Sequence, residues 1–254
     1  MSSKRSENDS LVSPDGFYKW RLSALPIVSI SSSILAIVLG YIIGIETGSV
    51  ERFPYLPFIS DLGDLRPESS VFSFFITLSC YFSWCIFIVR YFQVKEIYSQ
   101  CLKTNLFSLY VGAVLIVGKI MVSAFQLTNI KSVHFIGAGL YFAGVTLYIS
   151  CQVYITFNNE TRWRTLLLVV RIVCLIVMVI NSIIFTVFMA PGMEKYNRGG
   201  ANVAQTAEWL MAIFKMVFVF SFLGDFWGTK VSFHVHFHET QATSTSIRYK
   251  SLNG

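Results

Sequence analysis

Six apolar stretches of nearly equal length dominate this chain. They run from about Leu25 to Gly44, Val71 to Val89, Leu106 to Phe125, Phe135 to Phe157, Leu166 to Met189 and Trp209 to Phe226. About 20 mostly apolar residues cross the hydrocarbon core of a bilayer as one helix. A soluble domain carries about a quarter charged residues. Here 54% of the 254 residues are hydrophobic, 13% are charged, and the mean hydropathy is +0.59. These runs therefore predict an all-α integral membrane protein. Short connections make consecutive helices antiparallel neighbours in one six-helix bundle. No connecting segment is long enough for a soluble domain of useful size.

The expected organisation is an N-terminal tail (residues 1–22), a membrane domain (23–227) with one longer loop (48–70), and a C-terminal tail (228–254). The first run is too long, and too far from the start, for a cleavable signal peptide; it reads as a retained anchor. Basic residues resist translocation and so orient the chain. If the N-terminus is cytosolic, 13 Lys and Arg fall on the inner side and 5 on the outer, with Lys119 and Lys215 inside spans. Both termini are then expected in the cytosol. The net charge of +6 becomes a membrane-surface feature that attracts anionic lipid, and nucleic acid is not an expected partner. The Asn8 and Asn159 sequons fall on the cytosolic side, so neither should be glycosylated. Both tails are polar, rich in Ser and Thr, and expected to be disordered. Five cysteines lie in or beside spans at no framework spacing, which predicts no structural disulfide.

The loop "PYLPFISDLGDLRPESS" (54–70) concentrates Pro54, Pro57 and Pro67 with Asp61, Asp64, Arg66 and Glu68. Three prolines exclude a continuous helix. Asp61-Leu62-Gly63 reads as a turn in which Gly63 is free to take positive φ. Ser69 or Ser70 is a candidate cap for the second helix, and Glu68 suits its positive end. Such a loop serves either as a rigid lid or as a recognition surface for a luminal partner or lipid headgroup.

An ionisable group within a span is costly and marks a candidate site. Lys119 and Lys215 lie in the outer halves of the third and sixth runs. Glu208 precedes Lys215 by two helical turns and shares its face. His134 opens the fourth run from outside, and Gln152 lies within it. The expectation is an outward-facing polar cluster of Lys119, Lys215, Glu208 and His134 under the acidic loop, with Gln152 as a further member. Two readings stay open. The lysines either snorkel and pair with acids, or line a pocket for an anionic headgroup or small solute. Gly40, Gly44 and Gly48 form a GxxxG spacing that permits close approach, expected within the bundle before dimerisation.

Catalysis is not expected. The span region holds one histidine, His134, no metal-ligand spacing and no nucleotide-binding glycine loop. His234, His236 and His238 would share a face only in an extended segment, and neither metal nor cofactor is expected.

Phe58-Ile59-Ser60-Asp61-Leu62-Gly63, followed by Pro67-Glu68-Ser69 and Phe72, resembles the first-loop signature of the damage-regulated autophagy modulators, the DRAM family. That family sits in a wider group with TMEM150 and Sfk proteins and GPI-lipid remodelling factors. The chain departs from the pattern with Phe58 for Tyr, Leu62 for Thr, and Arg66 where a second Pro is common. Val133-His134, Gly137-Ala138, Gly144, Tyr148 and Gln152 are similar to the family's fourth span, and Glu208-Trp209 to the start of its sixth. The resemblance covers roughly residues 25–227. It implies a non-enzymatic modulator of autophagy at lysosomal or endosomal membranes, acting as a scaffold or as a bundle that senses lipid or solute. The alternatives it carries are a plasma-membrane adaptor for a phosphoinositide 4-kinase and a GPI-anchor lipid-remodelling factor. Expected partners are membrane lipids, including anionic or phosphoinositide species, and cytosolic adaptor or trafficking proteins. Tyr249-Lys250-Ser251-Leu252 resembles a tyrosine-based sorting signal, with Tyr249 and Leu252 as its anchors.

Overall fold

The computed structural model describes residues 18–51, 56–97, 99–160, 163–190, 202–227 and 229–233. Six helices are each long and apolar enough to cross a membrane: α1 (Ala24–Thr47), α2 (Glu68–Ile97), α3 (Leu102–Ala124), α4 (Lys131–Asn158), α5 (Arg164–Phe188) and α6 (Val203–Phe226). The chain is a multi-pass integral membrane protein. Most helices outrun their apolar stretches because the polar residues at their ends still continue the backbone hydrogen-bond ladder. Each helix packs on its sequence neighbours, and α6 closes back on α1, so the six form a ring. Residues Leu22–Thr229 make up this unit. Separately, β1 (Tyr18–Arg21) and β2 (Lys230–Phe233) pair antiparallel, Tyr18 opposite Phe233 and Arg21 opposite Lys230. The tails are therefore ordered where they leave the first and last helices, contrary to the expectation of disorder throughout.

Lipid supplies no hydrophobic drive between helices, so close packing and polar contacts hold them together. α3 and α4 meet backbone to backbone. A Cβ on Gly118 would lie 2.7 Å from Tyr141 N, and one on Gly144 would lie 2.6 Å from Leu115 Cβ. α1 and α2 are joined by serines. Ser29 Oγ lies 2.8 Å from Ser83 Oγ, and Ser33 Oγ lies 2.7 Å from Ser79 Oγ. The outward faces are apolar, as on α5, where Leu166, Val169, Val173, Ile176, Ile180 and Ile183 point to lipid. All five cysteines are free thiols, four buried and Cys85 half-buried.

The long loop is packed down on one end of the ring. Leu62 is fully buried among Ala36, Val50, Phe72, Ile76 and Cys80. Ser60–Gly63 forms one 3₁₀ turn. Gly63 does not adopt positive φ; among described glycines that conformation belongs to Gly48, which ends α1 at φ 74°. Gly63 is required for a different reason: a Cβ there would sit 2.7 Å from Phe72 Cγ. The Gly40 spacing also serves the loop, since a Cβ on Gly40 would meet Leu62 O at 2.6 Å. Gly44 is closed off in the same way by Val50. The glycine stripe on α1 thus seats a loop against a helix within one chain. Ser69 and Ser70 are not caps, because α2 already starts at Glu68. Their N–H groups donate to Leu65 O (2.8 Å) and Pro67 O (3.2 Å).

Candidate functional site

Beneath the loop the ring encloses a cavity of about 130 Å³. Its polar lining comes from separate elements: Ser33 of α1, Lys119 of α3, His134 and Tyr141 of α4, and Glu208 and Lys215 of α6. The four residues of the expected cluster therefore meet. Each is buried or nearly so because its helix turns that face toward the ring's interior.

The contacts differ from a simple set of ion pairs. Lys119 Nζ donates to Ser79 Oγ (3.0 Å) and Ser33 Oγ (3.4 Å). Lys215 lies against Lys119. Among the described residues, neither ammonium has a carboxylate within ion-pair distance. Glu208 faces the loop: its Oε2 accepts the Ile59 N–H at 2.8 Å. Trp209 Nε1 donates to Pro57 O at 2.9 Å. Across the loop, Asp64 Oδ1 accepts from Thr128 N (3.0 Å) and Thr128 Oγ1 (3.2 Å). Asp61 Oδ2 accepts the Phe58 N–H at 3.0 Å. Burial pushes the Asp61 carboxyl above its ordinary value, against the opposing pull of that N–H. His134 ring nitrogen Nδ1 lies 2.9 Å from Phe125 O, which holds the ring at the α3–α4 turn. Glu68, also in the loop motif, is fully buried at the first residue of α2. Neither of its oxygens has a hydrogen-bond partner among the described residues, and the positive end of the helix is its electrostatic support.

Gln152 does not belong to this cluster. It lies at the opposite end of the ring, where Arg90 Nε donates to its Oε1 at 3.1 Å. That end holds a network that sequence reasoning missed. Asp225 is clamped by two arginines, Arg90 at 3.0 Å and Arg171 on the other oxygen. Arg90 also donates to Gln93 Oε1 at 2.8 Å, and Arg171 to Ser221 Oγ at 3.2 Å and to Thr156 Oγ1. The Arg171 guanidinium lies over the Phe222 ring, 5.1 Å from its centroid. Arg90 and Arg171 are two of the 13 basic residues that the charge split assigns to the inner side. The available signal was two arginines and one aspartate near the ends of three apolar runs at the same depth. Asn159 of the second sequon is buried at the end of α4, its Nδ2 bonded to Ile155 O at 2.7 Å. Asn8, His234, His236, His238, Tyr249 and Leu252 lie outside the described residues.

The match to known families covers this same helical unit. Residues 21–229 fit the model of the Frag1/DRAM/Sfk1/Cwh43P N-terminal domain. The chain belongs to that family. Among its relatives, DNA damage-regulated autophagy modulator protein 1 of Xenopus laevis is 27% identical over 233 residues, 85% of this chain and 95% of that protein. DNA damage-regulated autophagy modulator protein 2 of Bos taurus is 25% identical over 239 residues, covering 86% and 88%. Transmembrane protein 150A of Xenopus laevis is 29% identical over 176 residues, covering 67% and 62%. No solved structure matches the chain. Within this DRAM-type fold the first-loop motif acquires physical roles. Gly63 and Phe72 are packing partners, Asp61 holds the turn, and Ile59 gives its N–H to Glu208 of the Glu-Trp pair.

Proposed function

We propose that this chain modulates autophagy from lysosomal or endosomal membranes, with both termini in the cytosol, and that the cavity under its loop senses an anionic ligand. The single observation that carries the sensing role is the pair Lys119 and Lys215. Two adjacent lysine amines share a buried space, and among the described residues no carboxylate lies within ion-pair distance of either. Charge buried in a low dielectric is tolerated when it is paired, and a bound anion would complete the pair. The loop roofs this space and is bonded to α6 through Glu208 and Trp209, so occupancy has a route to the loop. The link to autophagy rests on the names of the relatives. The orientation rests on the 13-to-5 split of basic residues. No catalytic step is part of this reading.

The test is imaging of tagged protein together with autophagic flux in knockout cells re-expressing wild type, Lys119→Met/Lys215→Met or Tyr249→Ala. Lysosomal or endosomal signal, with flux rescued by wild type and not by the lysine variant, supports the proposal. Movement of Tyr249→Ala to the cell surface gives the tail signal its role. Surface signal for all forms with unchanged flux overturns it in favour of the kinase-adaptor alternative. Golgi or reticular signal overturns it in favour of lipid remodelling.

A further inference from the structure

The cavity does not end under the loop. Five of its lining residues, Phe135, Ala138, Phe142, Phe185 and Met189, also line a larger groove of about 900 Å³ on the outer surface between α4 and α5. The groove is mostly apolar, with the hydroxyls of Thr146, Ser182 and Thr186 already bonded within the chain, and it faces the surrounding lipid. On α4 it runs from Phe135 to Leu147, twelve residues or about 18 Å of helical rise. Half of a hydrocarbon core is about 15 Å, so the groove is as deep as one leaflet. Gly139 lies in it, and a Cβ there would meet nothing within 4 Å. Unlike Gly118, Gly137 and Gly144 on the α3 side, this glycine is not there to admit a neighbouring helix; it leaves the groove open. Where cavity and groove join, Phe185 packs on Phe142 (5.6 Å between centroids) and on Phe58 of the loop (6.3 Å). The cavity walls add Met178, Met189, Met211 and Met216, flexible side chains that adapt to an irregular apolar guest.

A charged, small, enclosed head space opening sideways into one long apolar groove describes an amphiphile with one chain. The head space carries two lysine amines, while its one carboxylate, Glu208, is already turned to the loop. Two amines with no acid of their own complement an anionic head, and about 130 Å³ suits a carboxylate rather than a glycerophosphate with two chains. We infer, building on the anion-sensing reading above, that this protein binds one long-chain fatty acid, its carboxylate between Lys119 and Lys215 and its chain in the groove between α4 and α5. The ligand would enter laterally from the leaflet on the loop side.

The experiment uses the full chain in nanodiscs with a palmitate analogue bearing a diazirine on its chain, read by mass spectrometry of the crosslinked peptides. Labelling is expected on groove residues of α4 and α5. It should be competed by oleate and not by oleate methyl ester, which keeps the chain and loses the charge. Gly139→Phe and Lys119→Met/Lys215→Met should each cut labelling about tenfold or more, equivalent to about 1.4 kcal/mol of binding, with unchanged gel-filtration profiles. Equal competition by the methyl ester, measured on wild type alone, would mean the groove holds boundary lipid and would overturn the inference. Butyrate serves as the short-chain control, read as protection of Lys119 and Lys215 from amine acylation. Butyrate protection in wild type and Gly139→Phe, without groove labelling by the long chain, would leave the anion cavity standing and sink the groove. Neither protection nor labelling would remove both.

Discussion

The two ends of the ring bury the same kind of charge and use it in opposite ways. At one end Arg90, Arg171 and Asp225 form one set, with each guanidinium paired to the carboxylate and also bonded to neighbouring side chains. At the other, Lys119 and Lys215 sit side by side, Lys119 bonded to the Ser79 and Ser33 hydroxyls, with about 130 Å³ of space. Arginine's rigid fork suits the first, since it can satisfy a carboxylate and several oxygens at once. Lysine's flexible point charge suits the second, where the partner is not part of the chain. A basic residue in a membrane span is therefore not diagnostic by itself. Whether its donors are already filled, and whether space lies beside it, decides between a clamp and a site.

The comparison breaks most visibly at Asp225. Asp225→Leu leaves two buried guanidiniums without their carboxylate, and removing one partner of a buried ion pair costs about 3–5 kcal/mol. The expected outcome is loss of most folded protein, seen as a collapsed detergent-stability midpoint and degradation in cells. A variant that folds like wild type would show that the network is dispensable.

The next effect concerns the loop. Gly63→Ala places a methyl group against the Phe72 ring. Overpacking of this kind costs about 1–3 kcal/mol. Thermal unfolding should fall accordingly, and Phe72→Leu in the same chain should recover part of the loss, because contacting residues couple. Recovery by Phe72→Leu is the sign that contact rather than backbone conformation requires the glycine.

Gly63 also shows what a sequence can and cannot reveal. A glycine after Asp-Leu in a proline-rich loop announces a turn, and the turn is there. The chemistry that fixes the residue is a ring nine positions later, which no local rule predicts. The six spans were legible because about 20 apolar residues have few other uses. The cluster of Lys119, His134, Glu208 and Lys215 was legible because ionisable groups within an apolar run must be directed at something. Arg90, Arg171 and Asp225 were hidden by position: near a run's end, snorkelling to water explains a charge without a partner. Gln152 was misplaced for a related reason. Its depth in the span did not say which end of the ring it would face. Ser29, Ser33, Ser79 and Ser83 vanish into the hydropathy average, though they join α1 to α2.

A smaller effect is expected from Asp61. Its pKa is raised, first by burial and also by Asp64, while the Phe58 N–H and His134 pull it down. Glu208 of α6 faces it as well. A raised folded-state pKa means that the docked loop binds its proton more tightly than the free chain. Stability therefore falls as pH rises from the ordinary value of 3.8 through the raised one. Loop docking, followed by hydrogen exchange at Ile59 and Leu62, should tighten as the medium is acidified over that range. Asp61→Asn should flatten the dependence and protect the loop more at neutral pH. A loop whose protection in the wild type rises with pH would contradict the burial-dominated shift.

The smallest expected effect on stability is the most informative for the comparison. Lys119→Met/Lys215→Met keeps side chains of similar length and removes two adjacent buried amines that, among the described residues, have no carboxylate within ion-pair distance. Replacing buried charges by apolar residues of similar volume is often neutral or stabilising; the hydrogen bonds from Lys119 to Ser79 and Ser33 and the contact between the two lysines are lost. Ser33 and Ser79 keep each other at 2.7 Å. The unfolding midpoint should therefore stay level or rise, while Asp225→Leu is destroyed under the same conditions. A midpoint that falls as far as that of Asp225→Leu would mean that the lysines, like the arginines, are a clamp, and the asymmetry between the two ends would vanish. A level midpoint with lost anion protection means that these charges are kept for something the chain does not itself contain.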